Sequence, residues 1–387
     1  MLRTGPIPGN YLFEAVKDRD AIIMAANTRI ALVIPGILRA AKDLESAVIL
    51  ELAKSECDLD GGYTGLTPET LAAECKKAAQ QVGWDIWALH ADHLPVKKGT
   101  QEEMDKLKLL IDAQIKAGFT SFAIDASFLF DLNGKTIADQ LQKNIECTTH
   151  MAGYLKQKLG NKPFGLEVEV GEVGWKDKSG MIITKPEEAT TFIGALNKNG
   201  VFPQVLATSN GSTHGNLYDD RGQPIEQLSI DLPRTVEIAQ ALEKMGQKVR
   251  IAQHGVTGTP RHLIATQFPK KAISKANVGT FWMNLVFDVF KVCEPELYQD
   301  IWDWTLKTYG DEARKKGMKS DVEIFGKYGK FAIKEFFDRI YGVRKETKDT
   351  IDAVSYAEAR IFLTAFGSQG SASAVREVMH QAKYQAK

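Results

Sequence analysis

Two textures alternate along about the first 280 residues. Short apolar runs are each followed by a longer segment whose apolar positions recur with helical period. The runs are Ala21–Ala25, Ala47–Leu52, Ile86–His90, Phe119–Asp125, Phe164–Val170, Gln204–Ala207, Val249–Gln253 and Ala272–Ala276. Each reads as a strand of a buried parallel sheet. Strand–helix alternation repeated eight times predicts an α/β chain closed into a (β/α)₈, or TIM, barrel.

The intervening helices carry start and stop signals. Thr67 is a cap candidate before Pro68 and Glu69. Thr100 opens a helical segment that closes at Gly118, and Pro186 opens another after Thr184 or Lys185. Beyond Phe281 the pattern becomes helical, charged and free of clear strands. The expected division is a catalytic barrel over 1–290 and a helical C-terminal extension over 291–387. The extension would pack on the barrel or on a neighbouring subunit, with its exposed break at 345–349 (KETKD).

Composition narrows the class. Hydrophobic residues are 44% and charged residues 25% of 387, so the chain can bury a large core without a disulfide or metal. Lys plus Arg equals Asp plus Glu, at 49 each, which removes the basic field that would gather nucleic acid or an acidic membrane. Cys57, Cys75, Cys147 and Cys293 form no CxxC pair and read as reduced thiols. The N-terminal segment has no apolar core, and no run approaches a membrane span. The expected location is cytoplasmic.

Barrel chemistry sits at the C-terminal ends of the strands. There the sequence places His90, Asp92 and His93 on the third strand and Asp125 on the fourth. Glu167 and Glu169 lie on the fifth, His214 follows the sixth, His254 ends the seventh and Asn277 the eighth. A single such histidine is more often a hydrogen-bonded structural residue than a ligand. His93, His214 and His254 on three strand ends suit a divalent ion held by three imidazoles with a site left open. Glu169 is either an added oxygen ligand or a salt-bridged carboxylate. Glycine turns at Gly215 and at Gly255–Gly258 would let backbone N–H groups approach an anion, or are plain tight turns.

These pieces resemble, in order, the class II, zinc-dependent fructose- and tagatose-bisphosphate aldolases, with gaps, from about Ala21 to Asn284. They are His90-Ala91-Asp92-His93, Asp125-Ala126-Ser127, Leu166-Glu167-Val168-Glu169-Val170-Gly171, Pro186-Glu187-Glu188-Ala189, His214-Gly215, His254-Gly255 with Gly258-Thr259-Pro260, and Lys275-Ala276-Asn277. The resemblance implies that His93, His214 and His254 ligate the catalytic metal, most simply zinc. Asp125 and Glu169 would lie at a second or alternative metal position. Asp92 would be the acid/base, and Asn277 would orient the enediolate. Asp177 or Glu172, on the loop after strand five, would move the carbon-bound proton. Gly215, Gly255, Thr257, Gly258 and Thr280 would line the phosphate site.

Three positions depart from the family. Ala53 stands for its serine, Tyr218 for a lysine and Gly279 for an aspartate, all residues that help hold the phosphorylated ketose. The expected activity is reversible retro-aldol cleavage of such a ketose to dihydroxyacetone phosphate and an aldehyde, with weakened phosphate binding and Tyr218 beside the pocket. The expected partners are a small sugar phosphate and further copies of the chain, as a dimer or tetramer. The rivals are a metal-dependent epimerase or isomerase on the same rim and a non-catalytic aldolase-like subunit. Lys275 is the one lysine placed for Schiff-base chemistry, with a structural role as the alternative. Lys327, Lys330 or Lys334 could bring a phosphate charge from the extension.

Overall fold

All eight apolar runs become strands in the structure, a computed structural model that describes residues 4–171, 176–177, 180–213 and 215–384. They are β1 (Ile23–Asn27), β2 (Val48–Ala53), β3 (Trp87–Pro95), β4 (Ser121–Asp125), β5 (Gly165–Glu169), β6 (Val205–Ala207), β7 (Arg250–Gln253) and β8 (Ile273–Val278). The strands are parallel and close in the order β1-β8-β7-β6-β5-β4-β3-β2. The chain is a (β/α)₈ barrel with C-terminal helices.

Only β3 departs much from its expected bounds, and the cause is local. Its pairing with β4 slips between Ala91 and Leu94, so Asp92 and His93 form a bulge and the strand resumes to Pro95. His93 adopts a φ of 40°, a left-handed conformation that a residue with a Cβ rarely takes. Such an outlier persists only where its surroundings hold it, and it commonly marks a functional site.

The helix signals are realised. Thr67 accepts from Thr70 N in a capping box ahead of Pro68–Val82, and Thr100 accepts from Glu103 N ahead of Gln101–Ala117. Lys185 caps Pro186–Lys198. A short N-terminal helix, Gly9–Val16, packs on β3 and β5 from below. A Cβ on Gly165 would lie 3.0 Å from Gly9 Cα, so the two glycines permit this approach.

The 345–349 segment is not a break. It is the first turn of a helix, Lys345–Ala365, with Lys345 and Asp349 paired at i,i+4. Its charges are the solvated face of a helix start. That helix lies against Ile34–Asp43, where a Cβ on Gly36 would clash with Ser355 and the Asp352 carbonyl. Among the described residues no helix is long and apolar enough to cross a membrane.

Candidate active site

Strand geometry puts residues i and i+2 on the same face, and β2, β3, β5 and β8 each use it to send polar groups inward. The pairs are Glu51 with Ala53, His90 with Asp92, Glu167 with Glu169, and Lys275 with Asn277. All are buried.

Lys275 is the hub of the deeper layer. Its Nζ lies 2.7 Å from Glu167 Oε2, 3.0 Å from Glu51 Oε2 and 3.4 Å from Asp92 Oδ1. Burial works against its charge, but Glu167, Glu51 and Asp92 raise its pKa far above that of an ordinary lysine. It is therefore an ammonium, not an amine nucleophile. His90 Nδ1 meets Ser121 Oγ at 2.7 Å, and burial with the Lys275 charge lowers the pKa of its ring. Glu51 goes the other way. Burial and the neighbouring Asp92 raise its pKa well above the carboxylate range.

Asp92 and the two described histidines form the upper layer. Burial opposes the charge on Asp92, yet His93, Lys275 and His254 together depress its pKa below the usual range. Asn277 Nδ2 donates to Asp92 Oδ1 at 3.1 Å. His254 Nε2 lies 2.9 Å from Glu167 Oε1, which orients the ring from behind. His93 Nε2 lies 3.0 Å from His254 Nδ1. His93 Nδ1 lies 3.2 Å from Glu169 and 3.4 Å from Asp125. Those carboxylates favour a positive charge on the His93 ring. Burial disfavours that charge, but Asp92 and Glu169 raise the ring's pKa well above its usual value.

This set fits a divalent cation. Asp92, His93 and His254 bring ligand atoms within 4.8 Å of one another, and so do His93, Asp125 and Glu169. Two imidazole nitrogens already converge to 3.0 Å where a cation could be held, and Glu167 orients one ring from behind. Neutral nitrogen with carboxylate oxygen suits zinc and its first-row neighbours. Asp125 and Glu169 stand on the far side of His93, beside its second nitrogen.

Above this layer, Gly215, Gly255, Thr257 and Thr280 line one cleft with Asp92, His93 and Asn277. Gly258 does not join them; its carbonyl accepts from Gln227 N at 2.9 Å. Tyr218 turns away from the cleft. A Cβ on Gly326 would meet its hydroxyl, so the phenol packs on the backbone of the extension helix Asp321–Tyr328. The place beside Ala53 is filled by Glu56, whose carboxylate accepts from Ala53 N, Asn27 Nδ2, Arg29 Nε and Tyr63 Oη.

A family model described as fructose-bisphosphate aldolase class-II matches residues 8–330. The chain belongs to the class II fructose-bisphosphate aldolase family. The D-tagatose 6-phosphate 4-epimerase of Agrobacterium fabrum is 30% identical over 101 residues, 24% of this chain and 24% of that protein. The chain therefore matches about a quarter of that relative's length. Fructose-bisphosphate aldolase from Campylobacter jejuni superposes with a TM-score of 0.59 at 18% identity, over 95% of this chain and 97% of that one. Fructuronate-tagaturonate epimerase from Cohnella laeviribosi does so with a TM-score of 0.59 at 12% identity, over 92% and 81%. At those identities the two structures speak for the fold.

For a class II aldolase family member, several expected residues fall together. His93, His254, Asp92, Asn277, Asp125 and Glu169 share one rim. His214, Glu172 and the side chain of Asp177 lie outside the described residues. The sequence reading missed Glu51, Arg29, Glu56 and Tyr63. The available signal for Glu51 was a carboxylate inside the apolar run VILELA, where a charge needs a buried partner.

Proposed function

We propose that the protein is a metal-dependent aldolase that reversibly cleaves a phosphorylated ketose, such as fructose 1,6-bisphosphate, to dihydroxyacetone phosphate and an aldehyde. One observation carries this reading. An ionised Asp92 sits beside the convergent His93 and His254 and is held by Asn277 and Lys275.

A divalent ion, zinc in our reading, would be held by His93 and His254, with His214 completing the set on the strength of the resemblance. When bound, it would supply Lewis-acid polarisation of the ketone oxygen. Asp92 takes the proton from the substrate hydroxyl as the carbon–carbon bond breaks, and returns it in the reverse direction. Asn277 keeps the Asp92 carboxylate aimed and lines the same cleft. Lys275 serves by charge alone, since the Asp92 and Glu167 carboxylates hold its proton and leave no amine to attack a carbonyl. Asp177 or Glu172 would protonate the carbanion carbon. Gly215, Gly255, Thr257 and Thr280 would receive the phosphate. We further propose that the enzyme acts as a dimer or tetramer.

A second reading has specific support. The 101-residue match to a tagatose 6-phosphate 4-epimerase favours epimerisation of a ketose phosphate without release of a fragment. The same Asp92 would serve both. Incubating metal-loaded protein with ketose phosphates while trapping triose phosphate separates them. Trapped triose phosphate supports cleavage, and an epimeric ketose with none trapped supports epimerisation.

A further inference from the structure

Ala53 and Gly279 line the cleft without a polar side chain, and Tyr218 packs away from it on Gly326. A cation, Arg29, stands at the same spot. Arg29 stands two residues past the end of β1. Its Nη1 donates to Thr280 Oγ1 at 3.0 Å, and its Nε donates to Glu56 Oε1 at 2.8 Å. Thr280 opens a 14-residue helix whose N-cap, Gly279, provides no side-chain cap. A Cβ on Gly279 would lie 3.4 Å from Arg29 Nη2, so the guanidinium lies against the open face of this glycine. A Cβ on Gly215 would lie 3.7 Å from Thr280 Oγ1, which puts the first glycine turn beside the same hydroxyl. Arg29, Thr280, Gly215, Gly255 and Thr257 all line one cleft.

Glu56 is buried, and four donors hold its carboxylate behind the guanidinium. Lys330, from the C-terminal extension, lies over the Tyr63 ring at 5.5 Å; Arg29 Cζ lies 6.0 Å from the same ring. Among the described residues Lys330 is paired with no carboxylate. Burial and the Arg29 charge lower its pKa, and the Glu56 charge partly opposes them. Glu51 and Asp92 line the same cleft, with Lys275 between them, so an anion here would be held by the guanidinium's own donors rather than by a net positive field.

We propose that Arg29, braced by Glu56 against Thr280, is the charged anchor for the substrate's phosphate and makes the site select phosphorylated over unphosphorylated ketoses. The proposal rests on the ketose-phosphate reading above and names the residue that sets its selectivity. A guanidinium presents parallel N–H donors that match phosphate oxygens. Lys330 contributes charge from behind without touching the anion.

The test uses full-length, metal-loaded protein with inorganic phosphate as the probe, titrated calorimetrically after thermal unfolding has shown each variant to be folded. Arg29→Gln should weaken phosphate by about ten- to a hundredfold, the loss expected for a charged hydrogen bond. It should raise KM for a ketose phosphate by a similar factor, with kcat changed far less. Glu56→Gln keeps the guanidinium and weakens only its brace, so it should lose much less phosphate affinity than Arg29→Gln does. Wild-type phosphate affinity in Arg29→Gln overturns the proposal. So does an equal loss in Glu56→Gln, which would make the pair merely structural. Should Arg29→Gln fail to fold, Arg29→Lys carries the test, with severalfold weaker binding expected and unchanged binding counting against the guanidinium. Arg29-dependent phosphate binding without any ketose turnover would uphold the anchor and sink the assigned reaction. Turnover with an unchanged KM in Arg29→Gln would do the reverse.

Discussion

His93 Nε2 lies 3.0 Å from His254 Nδ1, across 161 residues of sequence and from opposite sides of the barrel mouth. Glu167 holds the far nitrogen of His254, and Asp125 and Glu169 flank the far nitrogen of His93. Each ring is thus oriented by carboxylates while the two near nitrogens converge.

Metal content follows from that convergence. Purified protein should carry about one divalent transition ion per chain, as sites built from imidazoles do. His254→Ala should lose the ion with its circular dichroism unchanged, and His214→Ala should do the same. Elemental analysis showing stoichiometric metal in either variant removes that histidine from the ligand set. Because the raised pKa of His93 means a proton sits on the ring without metal, uptake should release about one proton per ion. Calorimetry in buffers of different ionisation heat reads this directly, and zero release contradicts it.

Asp92 should be separable from metal binding. Asp92→Ala should keep its ion and fold but lose turnover by on the order of 10²–10⁴, the range for a lost general acid/base. A rate near that of the wild type would move the proton transfer to another carboxylate.

Lys275 predicts a pH-dependent stability. Removing one partner of a buried ion pair costs about 3–5 kcal/mol, so Lys275→Met should lower the urea midpoint sharply at pH 7. Asp92 and Glu167 have folded-state pKa values below their unfolded ones, Lys275 being a major cause for both. Their stabilisation is full above the unfolded carboxylate range, about pH 4, and is lost as pH falls through the lower folded values. The gap between wild type and Lys275→Met should therefore shrink in acid and widen toward neutrality. A gap independent of pH would mean that Lys275 acts by packing alone.

Much of this site was legible in the residue pattern. The inward polar residues at the strand ends name Asp92, His93, Asp125, Glu169, His254 and Asn277 because a parallel barrel strand is otherwise apolar. The two-residue bulge at Asp92–His93 was not legible, since it depends on how β3 and β4 pair. Arg29 and Glu56 were hidden for a different reason. Each lies in a loop with no periodicity to mark it, and only the closed barrel brings them against Thr280. Tyr218 was misplaced beside the pocket because its partner, Gly326, lies far along the chain. The 345–349 charges read as a break because solvated helix starts and loops share a composition.

Gly326 offers a test of how the extension is tied to the site. Adding a methyl there forces Tyr218 from its seat, and overpacking of this kind costs about 1–3 kcal/mol. Gly326→Ala should lower the thermal midpoint, and Tyr218→Ala in the same chain should recover part of the loss. Additive losses in the double variant would show that the two residues do not touch.

The most direct measurement is triose phosphate release from ketose phosphates by metal-replete protein, followed with a coupled trap. Fructose 1,6-bisphosphate, tagatose 1,6-bisphosphate and their monophosphates should include at least one substrate that yields dihydroxyacetone phosphate, with the yield abolished by chelation and by Asp92→Ala. An intact, metal-loaded protein that releases triose phosphate from none of them contradicts the aldolase assignment.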